Sequence, residues 1–257
     1  MAVKCLGSRH GPGMSPVADA QFSGLLVRLQ PLREADLIVS LLTESGTIVD
    51  ALARGARRSK KRFRGGLELF TVGDVRLTRG RSKLPTLSGF DALERLAPSE
   101  PSYERLCVAS SVLELAYTCA QPDQHDPQLY RWVRASLVLC EHADTDTLRW
   151  AMLLIDISLL AALGTLPDLA HCGRCGASTA DGATWPRPDE ELLCSQCQPN
   201  PSLNGQTIAT FLMALTAPVS ALDRRVGARS GAYVRQRVDW LMQGVIGRPL
   251  KSRAALS

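Results

Sequence analysis

The chain is poor in the residues and motifs that catalysis uses. It has four histidines, His10, His125, His142 and His171, scattered through loops and helix ends. It has no Gly-x-x-x-x-Gly-Lys-Ser/Thr phosphate loop, no Gly-x-Ser-x-Gly elbow and no His-Glu-x-x-His pair. The one dense carboxylate cluster, Asp189, Glu190 and Glu191, lies in a polar loop where solvation accounts for it. These absences argue against an enzyme. Aromatics are also scarce, at 5% of residues, which limits any surface that works by stacking. No apolar h-region precedes residue 20, so residues 1–21 are expected to be a disordered lead and not a signal peptide, with Met14 an alternative start. The longest apolar run, 150–166, is short for a membrane span and is interrupted by Asp156; it predicts a buried core helix. A soluble chain in a reducing cytoplasm is expected, with no membrane partner.

Against that sparse background, the cysteines are patterned. Cys172 and Cys175 form one Cys-x-x-Cys pair, and Cys194 and Cys197 a second, with eighteen residues between the pairs. That is the spacing of a four-thiolate zinc site, in which each pair offers two sulfurs from one tight turn. Four thiolates leave no open coordination position, so the zinc expected here is structural. Two disulfides are the competing reading, and the lack of a secretory signal weighs against them. Residues 177–193, rich in Gly, Pro, Asp and Thr, are expected to bury little and to depend on the metal for their fold. His171 is read as a neighbour of the site. Cys107, Cys119 and Cys140, in apolar helical contexts, are read as core filler.

Charge is patterned too. The net charge of +5 conceals +7 over residues 24–90, −9 over 91–203 and +6 over 204–257. Two basic ends flanking an acidic middle suggest a polyanion partner. The sharpest feature is the loop that begins at Arg54. Seven of the eleven residues from Arg54 to Arg64 are cationic: Arg54, Arg57, Arg58, Lys60, Lys61, Arg62 and Arg64. Phe63 sits among them and is the expected stacking residue; Phe22, Phe70 and Phe90 are expected in the core. Arg76, Arg79, Arg81 and Lys83 follow. A solvated charge run is the alternative. A second basic set, Arg224, Arg225, Arg229, Arg235, Arg237, Arg248, Lys251 and Arg253, fits DNA, an acidic peptide or a soluble terminus equally well.

Short apolar runs over 24–30, 37–43, 47–53, 67–77 and 84–90, separated by turn residues, predict five strands and a small barrel, with an oligonucleotide-binding (OB) barrel the leading form. From Ser102 the period becomes helical. Helices are expected after Ser102, after Asp126-Pro127, from Thr145 or Asp146 to a Gly164 stop, after Asn204, and from Ser230 to Gly247. The fold class is therefore α+β and multidomain: an N-terminal OB-fold barrel over 22–95, a helical domain over 96–170 and 201–257, and an inserted four-cysteine zinc finger over 171–200.

The order of these pieces resembles the RecO family of bacterial recombination and repair mediators. The marks are Leu41-Leu42-Thr43-Glu44-Ser45-Gly46, the basic loop through Phe63 with Leu67-Glu68-Leu69-Phe70, the doubled Cys-x-x-Cys, and Gly247-Arg248-Pro249-Leu250-Lys251-Ser252-Arg253. The resemblance implies a DNA repair and recombination role. The implied activities are binding of single- and double-stranded DNA, annealing of complementary strands and, with RecR, loading of RecA onto DNA coated by single-strand-binding protein (SSB), whose acidic C-terminal tail family members dock. It also implies a nucleoid-associated cytoplasmic location. By position, the zinc ligands are Cys172, Cys175, Cys194 and Cys197; the DNA-contacting set is Arg54, Arg57, Arg58, Lys60, Lys61, Arg62, Phe63 and Arg64, joined by Arg79, Arg81 and Lys83. The acidic middle is an awkward place for an acidic tail unless Arg131 and Arg134 dominate locally. The alternative function is a zinc-ribbon RNA-binding or transcription-associated module.

Overall fold

A computed structural model describes residues 19–56, 62–64, 66–79, 83–120, 125–224 and 226–254. The expected lead up to residue 18, and Arg57, Arg58, Lys60, Lys61, Arg81 and Arg225, lie outside the described residues; Arg64 is described by its backbone alone.

The described residues form two compact units, one of Val138–Pro249 and one of 19–137 together with 250–254. The latter unit opens with strands β1 (Ala20–Pro31), β2 (Leu37–Thr43), β3 (Ile48–Ala53), β4 (Phe63–Arg64), β5 (Thr71–Thr78) and β6 (Thr86–Arg95). They pair in the order β3-β2-β1-β5-β6-β4, and β3 also pairs with β6 through Leu52 and Thr86. That last pairing is reinforced by the Leu52 N–H donating to the Pro85 carbonyl at 2.8 Å. The order thus returns from β6 to β3.

Alternation explains the interior. Leu26, Val39, Leu41, Ala51, Ala53, Val75, Leu77, Leu87 and Phe90 face one buried cluster, as period-2 side chains of half-buried strands do. Of the five runs expected, 37–43 matches β2 residue for residue, whereas 67–77 begins too early. Phe70 explains the delay: it sits in left-handed backbone (φ 67°), its N–H donating to the Leu26 carbonyl and its own carbonyl accepting from Leu96. A non-glycine residue there is strained, and this one is held by burial of its ring.

Helix α1 (Tyr103–Cys119) starts at Ser102, whose side chain accepts from the Arg105 N–H, and packs on β1, where Arg28 donates to the Tyr117 hydroxyl. Helix α2 (Pro127–His142) opens on Asp126 as expected, with the Gln128 N–H donating to its carboxylate.

The other unit contains α3 (Leu148–Ala162), a two-stranded piece of β7 (Ala183–Thr184) and β8 (Leu193–Cys194), then α4 (Gly205–Thr216), α5 (Pro218–Leu222) and α6 (Ala228–Ile246). Helix α3 begins later than Thr145 or Asp146 suggests, because Asp144 and Thr147 close a turn on each other first. Gly164 and Gly247, both at positive φ, end α3 and α6 as read from sequence. Asn204 caps α4, accepting from the Thr207 N–H. Helix α5 has no sequence counterpart above; at five residues it shows no period to read. Among the described residues no helix is long and apolar enough to cross a membrane. Asp156, the charge that interrupts the apolar run, is fully buried on α3 and paired with Arg235 of α6 at 2.9 Å.

Candidate metal centre and nucleic-acid interface

The sulfurs of Cys172, Cys175, Cys194 and Cys197 lie within 4.8 Å of one another, and those of Cys175 and Cys194 are 3.7 Å apart. Zinc–sulfur bonds of about 2.3 Å in a tetrahedron put sulfurs about 3.8 Å apart. The four thiols therefore have the number, chemistry and spacing that a structural zinc requires. Each pair is shaped by its own turn: the Gly176 N–H donates to the Cys172 carbonyl, and the Cys197 and Gln198 N–H groups donate to that of Cys194. The two glycines of the first turn serve different ends. Gly176 has φ +73°, while a Cβ on Gly173 would lie 2.2 Å from the Glu191 Cβ, so Gly173 permits the close approach of Glu191.

Charge on the sulfurs is unevenly supported by the protein alone. Backbone N–H groups of Cys194 and Cys175 pull the Cys172 thiol down to about 6. Hydrogen bonding to the Cys175 sulfur, with burial, pushes Cys197 up to about 12. A dication is what would let all four be thiolates together. His171 is not one of the four-sulfur group; its ring pairs with Asp168 at 2.9 Å and holds that carboxyl below its ordinary range.

The expectation that 177–193 buries little is wrong. Ala183, Trp185 and Leu192 are fully buried, with Leu169 and Leu203 against the same interior. Two large apolar residues, Trp185 and Leu192, suffice, although the segment's average composition is polar. Arg237 on α6 donates to the Trp185 and Pro186 carbonyls, lies over the Tyr233 ring, and is held below its ordinary pKa by burial; the Tyr233 hydroxyl also donates to the Trp185 carbonyl. Arg235 and Arg237, read as members of a basic surface set, thus have internal partners.

The described cations of the N-terminal set are rooted on a single strand. The hairpin carrying Arg79 and Lys83 runs into β6 at Thr86; β3, ending beside Arg54, pairs with β6 at the same residue; β4, following Arg62, pairs with β6 at Phe90 and Asp91. Arg54, Arg62, Arg79 and Lys83 are exposed. The start of the Arg54 loop is fixed by Gly55, at φ +60°, whose N–H donates to the Asp36 carboxylate at 2.7 Å. Asp36 lies nineteen positions away in the β1–β2 turn, so no local signal could have found it. Arg76 is committed to Asp91 at 2.8 Å.

Phe63 corrects an expectation. It is 3% exposed within the interior cluster, with Arg62 over its ring. Its side chain is not available for stacking, because pairing of β4 with β6 turns it inward beside Phe90. Phe70 and Phe90 are core, as expected; Phe22 is only half-buried. Arg134 likewise is engaged, in a two-pronged pair with Glu94 at 2.8 and 2.9 Å, which leaves exposed Arg131 to set the local charge.

Comparison with known proteins bears directly on this arrangement. Residues 14–95 match the family described as "Recombination protein O N terminal", and residues 100–254 match "Recombination protein O C terminal". A "DNA repair protein RecO" of Nocardioides sp. (strain ATCC BAA-499 / JS614) is 31% identical over 90% of this chain and 96% of its own length. That of Cutibacterium acnes is 31% identical over 89% and 97%, and that of Anaeromyxobacter dehalogenans (strain 2CP-C) 28% over 92% and 95%. With both halves matched and relatives aligned over nearly their whole length, the chain belongs to the RecO family, whose named members are DNA repair proteins.

Proposed function

We propose that the protein is a non-catalytic mediator of recombinational DNA repair that binds and anneals DNA strands. In this reading the six-stranded sheet is an OB-type barrel, supported by the return pairing of β3 to β6. The observation that carries the reading is the rooting of exposed Arg54, Arg62, Arg79 and Lys83 on β6, in a chain of this family. Cations there would hold two strands close while screening their phosphates, so that pairing becomes fast. Arg57, Arg58, Lys60, Lys61, Arg64 and Arg81 extend the same set along the sequence. Structural zinc at the four cysteines stabilises the 171–200 segment and takes no chemical part. The expected partners are single- and double-stranded DNA, RecR and the SSB tail, with RecA loading as the outcome and the nucleoid as the site of action.

The test is annealing of complementary single strands coated with the cognate SSB, with and without this protein. Acceleration that disappears when the SSB tail is deleted establishes mediator and partner together. Acceleration on bare strands alone removes the SSB partnership, and no acceleration on either removes the reading in favour of RNA.

A further inference from the structure

At one end of the six-stranded sheet the interior opens to the surface. Phe22 of β1, Thr43 of β2, Val49 of β3 and Leu77 of β5 line a depression of about 390 Å³, with Ala20, Ser23, Glu44 and Ser45 at its edge. Residues two further along the same strands (Gly24, Leu41, Ala51 and Val75) are buried, so the lining consists of the outermost inward-facing positions. Its volume lies within the range of about 300–1,000 Å³ typical of small-ligand sites, and mouths of sheet barrels are a recurrent place for them.

The chemistry of this mouth is asymmetric. The floor is apolar and includes the half-buried ring of Phe22. On one side, Thr43, Ser45 and Thr47 form a closed ring of hydroxyls, with contacts of 2.8, 2.8 and 3.2 Å. Thr43 also donates to the Thr47 carbonyl and accepts from the Thr47 N–H, both at 3.2 Å, so the hydroxyls fix the turn that walls this side. On the other side, β5 leaves the mouth at Leu77 and continues into the hairpin of Arg79 and Lys83, both exposed. Glu44 is the carboxylate on the hydroxyl side and Asp19, which accepts from the Arg79 N–H, the one on the hairpin side, where the two cations Arg79 and Lys83 outnumber it and favour a phosphate.

We propose that this mouth receives one unpaired base of a single DNA strand, stacked on Phe22, with the flanking phosphates on Arg79 and Lys83. An aromatic floor beside cations is the pairing that holds single strands without reading sequence. The inference rests on the DNA-binding reading and assigns it a base contact that Phe63 does not supply.

Fluorescence anisotropy would be measured with a labelled dC oligonucleotide, a dT oligonucleotide and an abasic strand of equal length, at one salt concentration. Phe22→Leu keeps an apolar side chain and removes the π-face. It should weaken dC and dT binding about tenfold, as loss of one base–aromatic stack does, and leave the abasic strand unchanged. Phe22→Tyr, which keeps the π-face, should hold both affinities near the wild-type values. Equal losses on abasic and base-bearing strands, or none on either, would overturn the base site while leaving DNA binding intact. A wild-type protein that binds no single strand would overturn the DNA reading itself. If Phe22→Leu lowers the melting temperature, Phe22→Tyr decides, and a loss on base-bearing strands equal to that of Phe22→Leu overturns the proposal.

Discussion

Asp156 and Arg235 form the most consequential pair in the 138–249 unit. The carboxylate is fully buried and the Arg235 side chain 24% exposed, bridged at 2.9 Å, with Asp239 as a second acceptor for Arg235. The two carboxylates together hold Arg235 above its ordinary pKa against its burial. Removing Arg235 leaves the buried Asp156 carboxylate without its counter-charge, so Arg235→Ala should lower unfolding stability by about 3–5 kcal/mol, read from urea titration. The pair is imperfect, since one Arg235 nitrogen, Nη1, is buried without a hydrogen-bond partner. The double variant Asp156→Leu with Arg235→Leu should therefore recover most of that loss. A double variant as unstable as the single would mean that the buried charges pack better than apolar groups can. The same distinction between surface and interior applies to Phe63. Truncating it to Ala should destabilise the N-terminal sheet by about 3–5 kcal/mol, as loss of a core ring does, with any loss of DNA affinity following the fall in stability. In the sequence Phe63 is surrounded by cations and looks exposed; only its pairing opposite Phe90, through a two-residue strand too short to show a period, reveals it as core. Arg235 and Arg237 are hidden for the complementary reason. Their partners, Asp156 and the Trp185 carbonyl, lie 79 and 52 positions away.

Elements with local signals were legible. Ser102, Asp126 and Asn204 cap helices through bonds spanning two or three residues, and Gly164 and Gly247 end them at positive φ, so composition at those points suffices. The metal turns were legible on the same ground, as each pair of ligands is three positions apart. What was not legible is what brings one turn to the other. Gly173 accepts the approach of Glu191, eighteen positions on, and Arg174 donates to the Cys197 carbonyl. Gly173→Ala places a Cβ 2.2 Å from the Glu191 Cβ, an atom that cannot swing aside without its backbone. The variant should bind zinc more weakly although all four ligands remain, measured by competition with a chromogenic chelator. Gly176→Ser makes the useful comparison, because its defect is local strain at φ +73° with no neighbour in the way. Acidification should release the metal from the wild type as well, since protons compete with zinc for the thiolates; retention of metal well below pH 5 would argue that the sulfurs are not its ligands.

Over the whole chain, charge is segregated in sequence: +7 over 24–90, −9 over 91–203 and +6 over 204–257. The structure reduces what the formal count offers to a polyanion, because Arg76, Arg235 and Arg237 are committed to internal partners. Exposed Arg54, Arg62, Arg79 and Lys83 lie in the stretch that β6 anchors, which makes the dependence on salt predictable. Each phosphate neutralised releases a counterion, and on single strands the slope of log affinity against log salt steepens by roughly 0.7 per contact. Replacing Arg57, Arg58, Lys60 and Lys61 together by Ala should flatten that slope by up to roughly 3 and slow annealing, with zinc content and melting temperature unchanged. Replacing Arg235 and Arg237 should do the reverse, lowering the melting temperature while leaving the slope intact. The two variants remove cations from opposite ends of one chain, so a slope that responds equally to both would place the DNA contact in the total charge of the protein. A slope that responds only to the first places it in the loop that begins at Arg54.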